Sequence, residues 1–209
     1  MDRSRPDYFT RKAKKSGYPA RSVFKLEEIN AKYRILRKGQ RVLDIGAAPG
    51  SWSMFASRKI GPEGRVVSVD LKECRIPSGY GNITVYTGDA FSPEIKNRLS
   101  EKGPFDLILS DAAPATTGNK TIDTSRSTAL AEECIQTGIS SLKAGGNLVF
   151  KLFQGGDEKN LMQQLRSLFE TVKIFKPKSS RKDSFEIFFI ATGFQPPVDS
   201  HANTERDGV

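Results

Sequence analysis

The stretch DIGAAPGSW, residues 44–52, decides the fold of this chain. The apolar run at 41–46 predicts a short buried strand, and the apolar positions within 52–60 recur at the spacing of a helix. Gly46 and Gly50 have no Cβ, so the loop between the two elements can turn sharply and a ligand can approach its backbone. A strand, a glycine loop and a helix in this order predict a ligand site at the loop, with a plain tight turn as the alternative.

The residue types in this loop indicate which ligand it takes. In loops that bind dinucleotides, backbone N–H groups at the start of a helix receive a pyrophosphate. Pro49 removes one such N–H, and Asp44 would repel an anion. S-adenosylmethionine fits better, because its ammonium and sulfonium groups are cations that a carboxylate attracts. We therefore expect Asp44 and Gly46 to contact S-adenosylmethionine.

Three later predicted strands also end beside an aspartate. The strands are residues 65–70, 83–87 and 105–111, and the aspartates are Asp70, Asp89 and Asp111. Asp70 stands about 20 residues beyond Gly50, the spacing at which an acid binds ribose hydroxyls in nucleotide-binding folds. Asp89, close to Phe91, is placed to bind adenine. Because parallel strands end at one edge of a sheet, all these acids are expected to converge on one crevice; helix capping is the alternative for one or two of them.

The order of the predicted elements indicates the fold class. Strands alternate with helices, which is typical of a doubly wound α/β sheet. For example, a helix is predicted at 123–142, ended by Gly145 and Gly146, and a strand follows at 147–153. The last two apolar runs, 171–175 and 184–192, are separated by a short basic segment and predict an antiparallel hairpin at the sheet edge. Around the domain, residues 20–194, we expect a basic N-terminal arm at 1–19 that orders on the domain or on RNA, and a polar, disordered tail at 195–209.

Composition argues against several classes of protein. No apolar run approaches the ~20 residues that cross a bilayer, and the polar N-terminus lacks the apolar core of a secretion signal. We therefore expect a cytoplasmic protein without a membrane contact. His201 is the only histidine, which argues against a histidine base and a zinc site, so no metal is expected. Cys74 and Cys134 have no neighbouring Cys or His and are expected to be reduced structural thiols.

The positive charge of the chain is concentrated at one end. The net charge is +9, and residues 1–41 contain thirteen Lys or Arg against four Asp or Glu. A second basic run consists of Lys173, Lys176, Lys178, Arg181 and Lys182. Such clusters are typical of a surface that binds a phosphate backbone, and a solvated basic surface is the alternative.

Two lysines and one glutamate stand in unusual positions. Lys25 lies on the polar stripe of a predicted helix, where pairing with Glu28 one turn later is the simplest expectation. Lys151 lies within an apolar strand, where its charge is costly to bury without a partner. Glu186 is the only acid of the last apolar strand. We place these three residues, Lys25, Lys151 and Glu186, around a reacting group together with Asp111.

Several motifs in order give the chain a strong resemblance to the FtsJ/RrmJ family of RNA ribose 2′-O-methyltransferases, from about residue 21 to residue 194. The motifs are R-S-x-F-K-L around Lys25, D-I-G-A-A-P-G-S-W, S-D-A-A-P at Asp111, F-K-L-F-Q-G at Lys151, and K-P-K-S-S-R-K-D-S-F-E ending at Glu186. The resemblance implies a Rossmann-like class I fold that depends on S-adenosylmethionine. It also implies a seven-stranded, mostly parallel sheet with a C-terminal antiparallel hairpin and helices on both faces.

The resemblance also implies roles for individual residues. It places a catalytic K-D-K-E tetrad at Lys25, Asp111, Lys151 and Glu186, and cofactor contacts at Gly50, Trp52, Asp70, Asp89 and Asp111. In the chemistry that this implies, a weak ribose nucleophile loses its proton as it attacks the methyl group. Lys151 would steer or accept that proton, and the acids would hold the lysines. The leaving group departs as a neutral thioether, so the reaction needs no metal.

The expected substrate is RNA rather than DNA, most simply a uridine of large-subunit (23S-type) rRNA, free or in the large ribosomal subunit. A tRNA 2′-O-methyltransferase of the same family is the first alternative. A small-molecule or protein methyltransferase would share the cofactor site but has no evident use for the tetrad. A non-catalytic RNA-binding module would have no need of Lys151. We expect a monomer.

Overall fold

The computed structural model describes residues 7–155, 157–181 and 183–197. The helices are α1 Tyr8–Lys15, α2 Val23–Tyr33, α3 Ser51–Ile60, α4 Pro93–Ser100, α5 Lys120–Ser141 and α6 Glu158–Arg166. The strands are β1 Arg41–Ile45, β2 Arg65–Asp70, β3 Ile83–Thr87, β4 Phe105–Ser110, β5 Leu142–Phe153, β6 Phe169–Phe175 and β7 Glu186–Phe194.

The strands form one sheet in the order β3-β2-β1-β4-β5-β7-β6. Strands β1 to β5 pair in parallel, whereas β7 is antiparallel to both β5 and β6. The predicted seven-stranded, mostly parallel sheet with a C-terminal antiparallel hairpin is therefore confirmed. The strand order reverses between β1 and β4, and in sheets of this kind a ligand crevice opens at the carboxyl ends of that pair.

Apolar side chains cover both faces of the sheet. On one face, α4, α5 and α6 pack against a core that includes Leu43, Ile108 and Phe189. On the other face, α1, α2 and α3 pack against residues such as Val42 and Phe188. Because β7 is buried on both faces, it occupies the inner position of the hairpin, and the more exposed β6 forms the edge. The expected helices on both faces are confirmed.

The N-terminal arm contains a helix that the sequence did not predict. Asp7 caps α1 by accepting a hydrogen bond from the backbone N–H of Thr10 at 2.8 Å. Ala13 is buried, and the ring of Phe9 lies 5.6 Å from that of Phe24 in α2. The segment was expected to order on the domain or on RNA, and residues from Asp7 onward pack on the domain. The short, mostly charged helix shows little apolar periodicity because only a few of its side chains contact the core.

Several other boundaries differ from the prediction. Strands β6 and β7 begin at Phe169 and Glu186 instead of at 171 and 184, and β7 ends at Phe194 instead of at 192, because the hairpin pairing extends to Phe169 and Phe194. Helix α5 begins at Lys120 rather than at 123, because Asn119 accepts hydrogen bonds from two backbone N–H groups of its first turn. Strand β5 begins at Leu142, which already pairs with Phe105 before a register shift. Gly145, expected at the end of a helix, instead lies within this irregular part of the strand with a φ of +77°.

The domain limits at 20 and 194 remain predictions. Residues 195–197 have no regular structure, and the rest of the predicted tail, with His201, lies outside the described residues, as does Lys182 of the second basic run. None of the helices in the described ranges is long and apolar enough to cross a membrane.

Candidate active site

The glycine loop after β1 is held between the ends of β2 and β4. The backbone N–H of Gly46 donates to the carbonyl of Val69 at 2.9 Å, and that of Ala48 donates to Asp70 Oδ2 at 2.9 Å. Gly46 has a φ of +74°, and a Cβ there would lie 2.6 Å from the Cα of Ala112. Only glycine fits this left-handed, close approach, so the shape of the loop follows directly from the sequence.

A cavity of about 630 Å³ opens beside this loop at the carboxyl edge of the sheet. Asp70, Asp89 and Asp111 all line it, together with apolar side chains that include Phe91 and Leu130. The volume lies within the range of small-molecule and cofactor sites. Carboxylates beside an apolar wall suit the ribose, the cationic groups and the adenine of S-adenosylmethionine.

The carboxylates of Asp70 and Asp89 are fixed by the backbone. Asp70 accepts from the N–H of Ala48 through one oxygen and from that of Lys72 through the other, at 2.9 and 2.8 Å. Asp89 Oδ1 accepts from the N–H of Phe91 at 3.0 Å. A carboxylate oxygen has more than one acceptor site, so both residues keep capacity for a ligand hydroxyl or amino group.

Three residues predicted to contact the cofactor do not line this cavity. Asp44 is fully buried against α3, where its Oδ2 accepts from the Ser53 hydroxyl at 2.6 Å. Trp52 is 2% exposed, and its indole N–H donates to the carbonyl of Ser22 at 2.8 Å. Gly50 precedes α3 with a φ of +111°. Cofactor contacts of these three remain predictions, and those of Trp52 could only come from its backbone.

The burial of Asp44 changes its ionisation. Desolvation raises the pKa of this carboxyl to about 7, and the charges of Asp111 and Asp70 act in the same direction. Its Oδ1 has no hydrogen-bond partner among the described residues. Asp44 therefore lies behind the cavity as a partly protonated buried acid, instead of at its surface.

The predicted tetrad is assembled from three neighbouring strands and one helix. Lys151 Nζ, on β5, donates to Asp111 at the end of β4, at 2.9 Å to Oδ1 and 2.6 Å to the carbonyl. Lys25 Nζ, on α2, lies 2.8 Å from Glu186 Oε1 on β7 and 3.5 Å from Asp111 Oδ1. These side chains are only 8 to 14% exposed. Asp111 contacts both lysines, so the four charges compensate one another within the protein.

Glu186 is held in its ionised form. Burial alone would raise its pKa, but the charge and the hydrogen bond of Lys25 outweigh burial, with a further contribution from the hydrogen bond of Ser180. The pKa of Glu186 therefore lies below its ordinary value. The Ser180 hydroxyl donates to Glu186 Oε1 at 2.8 Å, the same oxygen that Lys25 contacts.

The tetrad stands between two cavities. A second cavity of about 510 Å³ is lined by Lys25, Lys151 and Glu186, while Asp111 lines the first. Ala113 lines both. A molecule in the first cavity and a molecule in the second could therefore meet at the tetrad, which is the arrangement that group transfer between two substrates requires.

Sequence reasoning missed the residues that support the tetrad. Glu28, expected to pair with Lys25, instead accepts from the backbone N–H groups of Lys178 and Ser179 at 2.7 and 2.8 Å. The pairing prediction was wrong because Lys25 lies closer to an acid on β7 than to the acid on its own helix. The serines of the K-P-K-S-S-R motif, residues 176–181, are the feature of the sequence that could have indicated a supporting role for Ser180.

Comparison with known proteins points to one family of methyltransferases. The family model described as FtsJ-like methyltransferase matches residues 18–194. The ribosomal RNA large subunit methyltransferase E of Treponema denticola is 45% identical over 192 residues, which cover 92% of this chain and 96% of that protein. The protein of the same name from Syntrophobacter fumaroxidans is 49% identical, covering 88% of this chain and 93% of its own length.

Solved structures agree with the fold. The crystal structure of a protein described as a ribosomal RNA methyltransferase from Plasmodium falciparum is 28% identical, with a TM-score of 0.77, covering 86% of this chain and 100% of that chain. Fibrillarin of Aeropyrum pernix, solved with S-adenosyl-L-methionine, is 20% identical with a TM-score of 0.52, covering 76% of this chain and 68% of that chain. The second likeness bears on the fold alone.

Proposed function

This chain belongs to the FtsJ-like methyltransferase family, and we propose that it transfers a methyl group from S-adenosylmethionine to a ribose 2′-hydroxyl of large-subunit ribosomal RNA. The observation that carries the proposal is the position of the tetrad between two cavities, one suited to the cofactor and one bordered by cations. The names of the relatives support ribosomal RNA as the substrate.

The first cavity supplies the cofactor contacts in this proposal. Asp70 binds the ribose hydroxyls, Asp89 accepts from the adenine amino group, and Phe91 packs beside the ring. Asp111 lies where the cationic end of the cofactor meets the tetrad. S-adenosylmethionine supplies a methyl group on a sulfonium, which is activated for transfer without a metal.

The second cavity receives the target nucleotide. Arg21 and Arg181 border it. The guanidinium of Arg21 is paired with Asp7, so the exposed Arg181 is the arginine that can bind a phosphate oxygen. The half-buried ring of Phe185 lies 4.8 Å from that of Phe153 and offers a face on which a base can stack. Asp183 is the other acid of the lining besides Glu186, so the mouth of the cavity is mainly basic.

Lys151 acts directly on the ribose hydroxyl. Two of the directions around Nζ are occupied by hydrogen bonds to Asp111, and in the neutral amine the remaining direction holds the lone pair that faces the ribose hydroxyl. As the oxygen attacks, a bond forms to the methyl carbon, the carbon–sulfur bond breaks, and its electron pair stays on sulfur. The hydroxyl proton passes to the neutral form of the Lys151 amine. The products are a 2′-O-methylated ribose and S-adenosylhomocysteine.

The other three residues orient Lys151 and balance its charge. Asp111 fixes the amine through two hydrogen bonds, and Lys25 shares the Asp111 carboxylate. Glu186 compensates the charge of Lys25, so the tetrad has no net charge when both lysines are protonated. Most of the rate enhancement is expected from holding two reactants in line, for which effective molarities of ~10⁵ M are known.

We further propose that the protein acts as a monomer in the cytoplasm and does not methylate DNA. The relatives are named for ribosomal RNA, and the residues that we assign to catalysis all come from one chain. A tRNA substrate is the alternative that the same tetrad would serve.

The test is transfer of labelled methyl from S-adenosylmethionine to large ribosomal subunits, free rRNA, bulk tRNA and DNA, followed by nucleoside analysis. We expect a 2′-O-methylated nucleoside in large-subunit rRNA. Label in tRNA alone would establish the alternative. Absence of label in every RNA, from protein that binds the cofactor, would contradict the proposal and favour a small-molecule or protein substrate.

A further inference from the structure

A separate cleft lies at the amino ends of the strands, whereas the tetrad lies at their carboxyl ends. Its volume is about 820 Å³, and its lining includes Lys38, Arg58, Arg65, Tyr80 and Asn82, which we call the Arg58 cleft. Arg65 begins β2 and Asn82 precedes β3, whereas the tetrad lies at the carboxyl ends of the strands. Strands of five and six residues separate the two edges by roughly 20 Å.

The charged side chains that line the Arg58 cleft are all cations. They are Lys38, Arg58 and Arg65, and no carboxylate is among the lining residues. Glu63, an exposed acid in the turn before β2, lies outside the lining. The neighbouring cavity, which shares Lys38, contains Asp106 and is therefore of mixed charge. Of these two neighbouring cavities, the Arg58 cleft is the one whose charged lining residues are all cations.

Two aromatic rings fix the position of the Arg58 guanidinium. The guanidinium of Arg58 lies 4.7 Å from the ring centre of Tyr18 and 5.4 Å from that of Tyr80. Both distances are within the range of cation–π attraction. The hydroxyl of the preceding residue, Ser57, donates to Asn82 Oδ1 at 2.6 Å, which ties α3 to the start of β3. A held guanidinium loses less conformational entropy when it binds an anion.

We propose that the Arg58 cleft binds backbone phosphates of the RNA whose target ribose reaches the tetrad. The inference rests on the proposed function, because it assumes an RNA substrate. Guanidinium and ammonium groups without a competing carboxylate favour phosphate, the anion that RNA presents at every nucleotide. Because the tetrad and the Arg58 cleft lie at opposite ends of the strands, an RNA that contacts both must extend well beyond the target nucleotide. The enzyme therefore distinguishes a large folded RNA from a short fragment.

The experiment uses the full chain with two charge variants. In the first, Lys38→Glu and Arg58→Glu are combined; in the matched control, Lys102→Glu and Lys159→Glu make the same change of net charge at exposed sites outside the cleft and outside both basic clusters. Binding is measured by titration with a large-subunit rRNA transcript and with a short oligoribonucleotide that carries only the target nucleotide and its neighbours. A milder double variant, Lys38→Gln with Arg58→Gln, and the thermal midpoint of each protein guard against misfolding.

We expect the cleft variant to bind the transcript at least about 10-fold more weakly and with a salt slope reduced by about 1 to 2. We expect its affinity for the short oligoribonucleotide and for S-adenosylmethionine to change little. Equal weakening by the control variant, equal weakening toward the short RNA, or unchanged binding of the transcript by both cleft variants would overturn the inference. Failure of the wild-type chain to methylate RNA would contradict the proposed function, whereas the binding comparison decides the cleft separately.

Discussion

The carboxylate of Glu28 accepts the backbone N–H of Ser179 at 2.8 Å, which joins α2 to the segment between β6 and β7. The neighbouring N–H of Lys178 binds the other oxygen of the same carboxylate at 2.7 Å. The next residue of that segment, Ser180, donates to Glu186, and α2 also carries Lys25. Glu28 therefore sets the distance between the helix and the segment that together position the Lys25–Glu186 pair.

Glu28→Ala is predicted to lower kcat about 10-fold or more, because the loss of charge-assisted hydrogen bonds worth about 1.5–3 kcal/mol each releases the segment that orients Glu186. The KM for S-adenosylmethionine should change little. Glu28→Gln, which keeps one acceptor oxygen, should recover part of kcat. The control is Glu27→Ala, an exposed neighbour on the same helix. An equal kcat in the Ala and Gln variants and the wild type would remove the positioning role.

Lys151→Ala is predicted to abolish methyl transfer, by about 10²-fold or more, while the thermal midpoint and S-adenosylmethionine binding persist. Lys151→Arg separates two roles, since a guanidinium can orient a hydroxyl but cannot take its proton. If the amine accepts the proton, single-turnover rates of the Arg variant should be as low as those of the Ala variant. Recovery of the rate by Arg would instead assign Lys151 an orienting role only. Lys173→Ala serves as the exposed control.

Lys25→Met is predicted to destabilise the fold in a pH-dependent manner. The pKa of Glu186 is lowered in the folded state from 4.5, so its ionised form contributes stability above that pH and loses it as the pH falls through the lowered pKa. Without Lys25 that contribution is lost. Urea unfolding should show a difference between variant and wild type that is largest at neutral pH and shrinks below 4.5. A pH-independent difference, like that expected for Lys32→Met, would contradict this account.

Asp44→Asn is predicted to become relatively more stabilising as the pH rises. Burial raises the pKa of Asp44 from 3.8 to about 7, so the folded state retains a proton that the unfolded chain has already lost. The free energy of unfolding of the wild type therefore falls across this interval, by at most about 1.4 kcal/mol per pH unit from this group. The variant lacks the titration. Thermal unfolding from acid to neutral pH should show the difference growing to about pH 7 and then levelling; a constant difference would be evidence against a protonated Asp44.

Asp89→Ala is predicted to weaken S-adenosylmethionine binding about 10-fold, which corresponds to about 1.4 kcal/mol and to one lost hydrogen bond to a charged acceptor. Asp89 is exposed and caps only the N–H of Phe91, so the fold should persist. Calorimetric titration with S-adenosylmethionine measures the effect. Binding as tight as in the wild type would show that Asp89 does not contact the ligand.

Local patterns were sufficient for most of the fold. The strands from β1 to β4 were predicted to within one residue of the observed limits, because runs such as Leu107 to Leu109 are apolar on both faces. Among the boundaries that failed, those at α5 and at the start of β5 depend on a side-chain cap and on a register shift. Such details are set by single hydrogen bonds that periodicity does not detect.

The candidate site could be predicted only in part. The three aspartates at the carboxyl ends of β2, β3 and β4 line one cavity because parallel strands end at one edge, a rule that needs no coordinates. Asp44 and Trp52 were expected beside them, yet their side chains lie on the α3 side of β1 and within the core. The position of each residue in the sequence indicated the strand or helix to which it belongs. Whether the side chain faces the cavity depended on the packing of α3.

The sequence by itself determined the doubly wound sheet and the glycine loop, and it predicted the four residues of the tetrad, because periodicity, glycine geometry and the motifs are local properties of the chain. Only the tertiary structure decided which charges pair. Lys25 binds Glu186 rather than Glu28, and Glu28 instead holds Ser179. An ion pair forms between groups that folding brings within a few ångströms and removes from water, and separation along the chain does not specify that distance.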